Sequence, residues 1–143
     1  MAIDKMRRKA PLNILYQESG IRTHFPSFQF KHDWRRKRAS WTGCLQPTPL
    51  SVRYKIKIDF QLGKNPKIFV EDPILIGNSP HRFKDGSLCL YHPLSGDWNN
   101  RELIAHTIIP WVSHWLWCYE LWQISGKWFA DEYRHANEKM RTA

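Results

Sequence analysis

The stretch Ser79–Trp98, SPHRFKDGSLCLYHPLSGDW, holds one cysteine among turn-forming residues and histidines. Cys89 lies between Leu88 and Leu90, with Asp85-Gly86 before it and Tyr91-His92 after it. Three chemistries fit a cysteine in such a place. As a buried hydrophobe it would pack with its leucines, since thiols are among the most buried side chains. As a metal ligand it would use the spacing Cys89-x-x-His92, and His114 and Cys118 stand i, i+4 on a predicted helix. Zinc takes four ligands, and neither pair has a second pair at ligand spacing, so no metal is expected. As a nucleophile it would need exposure, thiolate character and a donor for the developing oxyanion. His81 and His92 are within reach in sequence, and Asp85, Asp97, Asn99 and Asn100 are available to orient an imidazole. A cysteine that accepts an already activated acyl group needs fewer partners than a protease cysteine. Cys118, in a tryptophan-rich segment, and Cys44, on a predicted strand, read as structural thiols.

The elements that must position Cys89 follow from hydrophobic spacing. In VRYKIKIDF, Val52, Tyr54, Ile56, Ile58 and Phe60 alternate with Arg53, Lys55, Lys57 and Asp59, the pattern of a strand with one dry face. Phe28–Lys31 and Ala39–Leu45 read as strands joined by an exposed tip at DWRRKR, and Lys67–Val70 as a fourth. Residues 28–70 are therefore expected to form a four-stranded antiparallel meander. Met1–Gln17 predicts a short N-terminal helix interrupted by Pro11. Residues 71–98, rich in Pro, Gly, Asn and Ser, predict a long functional loop. Asn99-x-x-Glu102 is a capping-box pattern, and Leu103, Ile104, Thr107, Ile108, Trp111, Val112, Trp115 and Tyr119 recur at helical spacing. Pro110 should kink or divide that helix, Gly126 should stop it, and the remaining residues predict a short terminal helix. The fold class is α+β, with helices over the dry sheet face and the tryptophans at 111, 115, 117 and 122 packed on it.

At 143 residues the chain fits one domain, 1–143, able to bury a core without staples. The longest uncharged run, Thr107–Tyr119, has 13 residues, too few to span a bilayer. No apolar run follows the basic start, so no secretory leader and a reduced, cytoplasmic setting are expected. The net charge of +9 is concentrated in residues 1–40, where ten Lys/Arg face three acidic residues. That basic segment suits an acidic partner, or nucleic acid with Trp34 and Trp41 stacking bases beside RRKR; solvation of a surface hairpin explains it more simply.

The order of these motifs resembles the ubiquitin-conjugating enzymes. Their active-site segment reads His-Pro-Asn, a turn with Gly, Ile-Cys-Leu-Asp and then Trp. Here Ser79-Pro80-His81, Asp85-Gly86-Ser87-Leu88-Cys89-Leu90-Tyr91 and Trp98 fall in that order. SWTGCLQPTPLSVRYKIKIDF and NPKIFV are similar to the strands before it, and the likeness spans about residues 28–120. PHR-x-x-DGSLCLYHP, HTIIPW, WLWCYELW and SGKWFADEYRH resemble the bacterial branch found in type II CBASS antiphage operons. The resemblance implies the ubiquitin-conjugating (UBC) fold and a thioester formed at Cys89 with the C-terminus of a partner protein. The partner would be a cGAS-like nucleotidyltransferase or a ubiquitin-like protein, its acyl group would pass to an amine, and no cofactor would be needed. The length leaves no room for an adenylating domain, which fits the stand-alone form. Two positions depart from the pattern: His81 stands where the family has asparagine, as a donor to the oxyanion or a packing residue, and Tyr91 replaces aspartate. A non-catalytic module of the same fold, binding the nucleotidyltransferase, is the alternative.

Overall fold

Alternating apolar and polar residues build the sheet, and the order of the elements sets it across the chain. The computed structural model describes residues 12–91 and 96–129. Helix α1 spans Leu12–His24 and is followed by strands β1 (Gln29–Asp33), β2 (Arg38–Leu45), β3 (Tyr54–Gln61) and β4 (Lys67–Asp72), then helix α2 (Ile108–Ser125). The strands form one sheet in the order β1-β2-β3-β4 with every neighbouring pair antiparallel, the expected meander. Tyr54, Ile56, Ile58 and Phe60 are buried, whereas Lys55 is exposed and Lys57 and Asp59 are half-buried, as their alternation requires.

Val52 does not join this strand and is 57% exposed. The chain is held in a local turn just before it: the Gln46 side-chain amide donates to the Ser51 carbonyl (2.8 Å), and the Thr48 amide donates to the Ser51 hydroxyl (3.1 Å).

The first helix lies later than Met1–Gln17. It runs from Leu12 to His24 and buries Ile14, Gln17 and Ile21 at i, i+3 and i+7; residues 1–11 lie outside the described residues. The helix expected from Asn99 begins only at Ile108. Asn99 instead makes a local turn, accepting the Arg101 amide on its side chain (2.9 Å) and the Glu102 amide on its carbonyl (3.0 Å). The physical reason is Gln17, fully buried on α1. Its amide nitrogen donates to the Glu102 carbonyl (2.7 Å), and its oxygen accepts the Ile104 N–H (2.8 Å). Those backbone groups would otherwise serve an internal helix. With α2 starting at Ile108, Pro110 falls in its first turn, where an N–H has no intrahelical partner, so the proline starts the helix rather than kinking it. Gly126 ends α2 in the left-handed conformation (φ 74°), its N–H donating to the Trp122 carbonyl (2.8 Å). Of the terminal helix expected beyond it, residues 130–143 lie outside the described residues.

One hydrophobic cluster joins α1, β2, β3, β4, the loop at Leu88–Tyr91 and the inner face of α2. Of the four tryptophans on α2, Trp115 is buried, Trp111 and Trp122 pack half-buried against the cluster, and Trp117 is 39% exposed. None of the helices among the described residues is long and apolar enough to cross a membrane.

Candidate active site

The loop carrying Cys89 is a tight hairpin, more ordered than its composition suggests. Arg82 and Leu88 form an antiparallel bridge. Phe83 N–H donates to the Ser87 carbonyl (2.9 Å), Gly86 N–H to the Phe83 carbonyl (2.9 Å), and Cys89 N–H to the His81 carbonyl (2.8 Å). Gly86 turns the chain with φ 88°, a conformation open to glycine at little cost. Asp85 stitches the tip: one carboxylate oxygen accepts the Ser87 N–H (2.9 Å) and hydroxyl (2.6 Å), and the other meets the Lys67 ammonium (2.9 Å). The Ser87 hydroxyl, its amide and Lys67 together hold the Asp85 carboxyl at about 2, well below its usual range.

Two further contacts fasten the hairpin to the body. Leu88 N–H donates to the Ile68 carbonyl on β4 (2.8 Å), and Trp115 Nε1–H on α2 donates to the His81 carbonyl (3.1 Å). The His81 carbonyl thus accepts from both Cys89 and Trp115. His81 adopts φ 57°, uncommon for a residue with a side chain, and its ring lies 5.0 Å from that of Trp128. Sequence reasoning pointed to the imidazole of His81; the structure gives its backbone carbonyl an equally definite task.

Cys89 is half-buried, between fully buried Cys118 and exposed Cys44, and none of the three is disulfide-bonded. Its thiol donates to the Tyr91 carbonyl at 3.7 Å, a sulfur-length contact. Because the Cys89 amide is bonded to His81, an oxyanion at the sulfur must be met by other donors. Tyr91 is buried with its ring edge-on to Trp111 (5.5 Å). Burial, then the charges of Asp97 and Cys89, push its hydroxyl up to about 12, so at neutral pH it is a phenol and not a base. Trp98 is buried edge-on to Phe60 (6.1 Å), and its ring N–H has no partner among the described residues. His92 lies outside the described residues, so the Cys89/His92 pairing has no geometry here. On α2, His114 Nε2 and Cys118 Sγ are 3.6 Å apart, and no metal-holding group of His, Cys, Asp and Glu occurs among the described residues.

The basic hairpin at Trp34–Arg38 is a surface turn whose charges are partly balanced by Asp33 and Asp59 (3.7 Å each). Trp41 is fully buried, its Nε1–H donating to Glu18 (2.7 Å), which removes it as a base-stacking surface. Trp34 stacks on His32 at 3.9 Å.

Sequence reasoning missed the space beside this hairpin. A cavity of about 600 Å³ opens between the β3–β4 turn and the Cys89 loop, floored by Ile68, Leu88 and Leu90 and edged by Lys64, Lys67 and Lys84. Its walls come from two separate stretches of sequence, Lys64–Ile68 and Phe83–Tyr91, so no local pattern announces it.

A search of curated proteins returns no match. A family model described as type II CBASS E2 protein matches residues 17–136, covering α1 from Gln17 on, the sheet, the Cys89 hairpin and α2. The chain therefore belongs to the type II CBASS E2 proteins of antiphage defence.

Proposed function

We propose that Cys89 is the acyl-carrying nucleophile of a ubiquitin-conjugating fold acting in the cytoplasm. Its substrate is the C-terminal carboxylate of a partner protein, a cGAS-like nucleotidyltransferase or a ubiquitin-like protein, delivered in activated form. The Cys89 sulfur attacks the activated carbonyl. A carbon–sulfur bond forms, the bond to the activating group breaks, and the thiol proton leaves. An amine then attacks the thioester, a carbon–nitrogen bond forms, the bond to Cys89 breaks and the amine gives up a proton. The product is an amide that regulates the nucleotidyltransferase. The observation that carries this reading is the half-buried thiol at the end of a hairpin braced on β4 and α2, within a chain of the CBASS E2 family. Preorganised positioning of this kind lets a thiol meet an acyl group without a dedicated base. His81 serves as donor to the tetrahedral oxyanion where the wider family has asparagine.

The test is incubation with the partner and its activating system, read as a reductant-sensitive covalent band on a gel. Wild-type protein should form the band and Cys89→Ala should not; a band that persists in Cys89→Ala sinks the proposal. His81→Asn should keep transfer near the wild-type rate, and His81→Ala should slow it roughly 10²-fold, the scale of one lost oxyanion donor.

A second reading rests on the contact between the His81 and Trp128 rings and on the use of the Cys89 amide within the hairpin. Both suit a packed module that binds the nucleotidyltransferase without covalent chemistry. It predicts a pull-down unchanged by Cys89→Ala and no thioester in the presence of an activating enzyme.

A further inference from the structure

The cavity beside the Cys89 hairpin has a composition that selects a ligand class. Ile68, Phe83, Leu88 and Leu90 give it an apolar body, and Lys64, Lys67 and Lys84 stand on its lining. Lys67 is already paired with Asp85 at 2.9 Å, whereas no ion pair involves Lys64 or Lys84 among the described residues. The lining carries three ammonium groups against the Asp85 carboxylate, and Asp97 acts on Tyr91 at one side, so the balance of charge is positive. A volume of about 600 Å³ lies within the range of small-molecule sites, roughly 300–1,000 Å³. An apolar body desolvates well in such a space, and a single anionic group gains most at its lysine edge.

We propose that this cavity is a binding site for a small amphipathic anion, an aromatic or aliphatic body bearing one carboxylate, sulfonate or phosphate, and that its occupancy is coupled to Cys89. The coupling is direct: Leu88 and Leu90 are the two neighbours of Cys89, and both line the cavity. Leu88 also holds the hairpin to β4 through its N–H on the Ile68 carbonyl, and Ile68 lines the same space. A ligand there touches both sides of the joint that positions the thiol. The site stands whether or not Cys89 carries acyl groups, because only the cavity's walls and charges define it.

The probe is 2-naphthalenesulfonate, with neutral 2-naphthalenesulfonamide as its isostere, titrated into the full chain and followed by backbone amide NMR shifts. Binding of the sulfonate should saturate and move the amides of Ile68, Leu88 and Leu90. The sulfonamide should bind on the order of fivefold more weakly, and Lys64→Glu/Lys84→Glu should weaken the sulfonate by a similar factor, the scale of exposed charge pairs. Cys89→Ala should bind the probe like wild type, which separates this site from the thioester proposal. At saturation the alkylation rate of Cys89 by iodoacetamide, read by mass spectrometry, should change at least about twofold, because flexibility around a thiol controls its access. Non-saturating shifts, shifts mapping away from the hairpin, equal binding of sulfonate and sulfonamide, or an unchanged alkylation rate would each overturn the proposal. So would binding confined to an acidic peptide offered in place of the sulfonate.

Discussion

Asp85 accepts two hydrogen bonds from Ser87 and one from Lys67, and this determines when the Cys89 hairpin is held. Its carboxyl is depressed to about 2 from an ordinary value of 3.8, so the bonded form is the anion. A depressed folded-state value contributes stability that is complete above the unfolded value and drains away as pH falls through the folded one. The stability difference between wild type and Asp85→Asn should therefore be constant above about pH 5 and shrink between about pH 4 and 2. Denaturant melts at a series of pH values measure it, and a difference unchanged down to pH 2 would contradict the role given to Asp85. Tyr91 has the opposite sign. Its hydroxyl is raised to about 12, chiefly by burial, so the protonated form favours the folded state. That contribution is complete below about pH 10 and is lost as pH climbs toward 12. Tyr54 is displaced in the same direction by burial and Glu120, whose carboxylate accepts its hydroxyl (3.2 Å). Absorbance titration near 295 nm, wild type against Tyr54→Phe and Tyr91→Phe, should show these two hydroxyls ionising only as the chain unfolds; ionisation of either near pH 10 would refute its burial.

Between elements, close approach decides what a position tolerates. Gly43 on β2 lies under the Phe28 ring, and a Cβ there would stand 2.2 Å from a ring carbon. Phe28 is itself 2% exposed and cannot swing away freely, so Gly43→Ala should cost about 1–3 kcal/mol through overpacking. Gly20 on α1 meets only the tip of the flexible Leu103 side chain (2.9 Å), and alanine returns about 1 kcal/mol of helix propensity. Gly20→Ala should then be near neutral. Chemical denaturation of both variants makes the comparison, and equal losses would show that the Phe28 contact does not govern β2. The same distinction between local and distant causes explains what the sequence revealed. The meander was legible because the alternation in YKIKIDF is a property of neighbouring residues, and the turn before Cys89 because Asp85-Gly86 is contiguous; the pairing of Arg82 with Leu88 that makes the expected loop a hairpin was not. The late start of α2 was not, because the side chain that takes up the Ile104 amide and the Glu102 carbonyl sits on α1, 87 and 85 residues away. Trp41 shows the same limit: beside RRKR it looks like a flanking aromatic, yet its partner Glu18 is 23 positions upstream.

Across the whole molecule, a few buried or half-buried side chains with polar groups connect elements that the hydrophobic cluster alone would leave free to slide. Glu18 of α1 accepts the Trp41 indole of β2, and Glu120 of α2 accepts the Tyr54 hydroxyl of β3 and the Ser51 hydroxyl before it. Tyr119 of α2 accepts the Ile76 amide (3.0 Å), and Trp115 clasps the carbonyl behind Cys89. Apolar packing has no preferred register of its own, whereas each of these bonds is satisfied in one arrangement only. Gln17 is the most buried member of the set and answers two backbone groups at once, fixing the segment that leads into α2. Gln17→Leu keeps much of the volume but leaves the Glu102 carbonyl and the Ile104 N–H without that partner. At about 1–3 kcal/mol for each buried unsatisfied group, the variant should lose roughly 2–6 kcal/mol and its Ile104 amide should exchange faster with solvent. The chain has a second course: residues 99–107 could re-form as the regular helix their spacing favours, pairing those groups internally. That rearrangement would extend α2 at its N-terminus and appear as new helical signal in circular dichroism with little loss of stability. Hydrogen exchange and circular dichroism on Gln17→Leu together distinguish the outcomes. A stable variant with neither faster Ile104 exchange nor added helix would mean that Gln17 is not what delays α2.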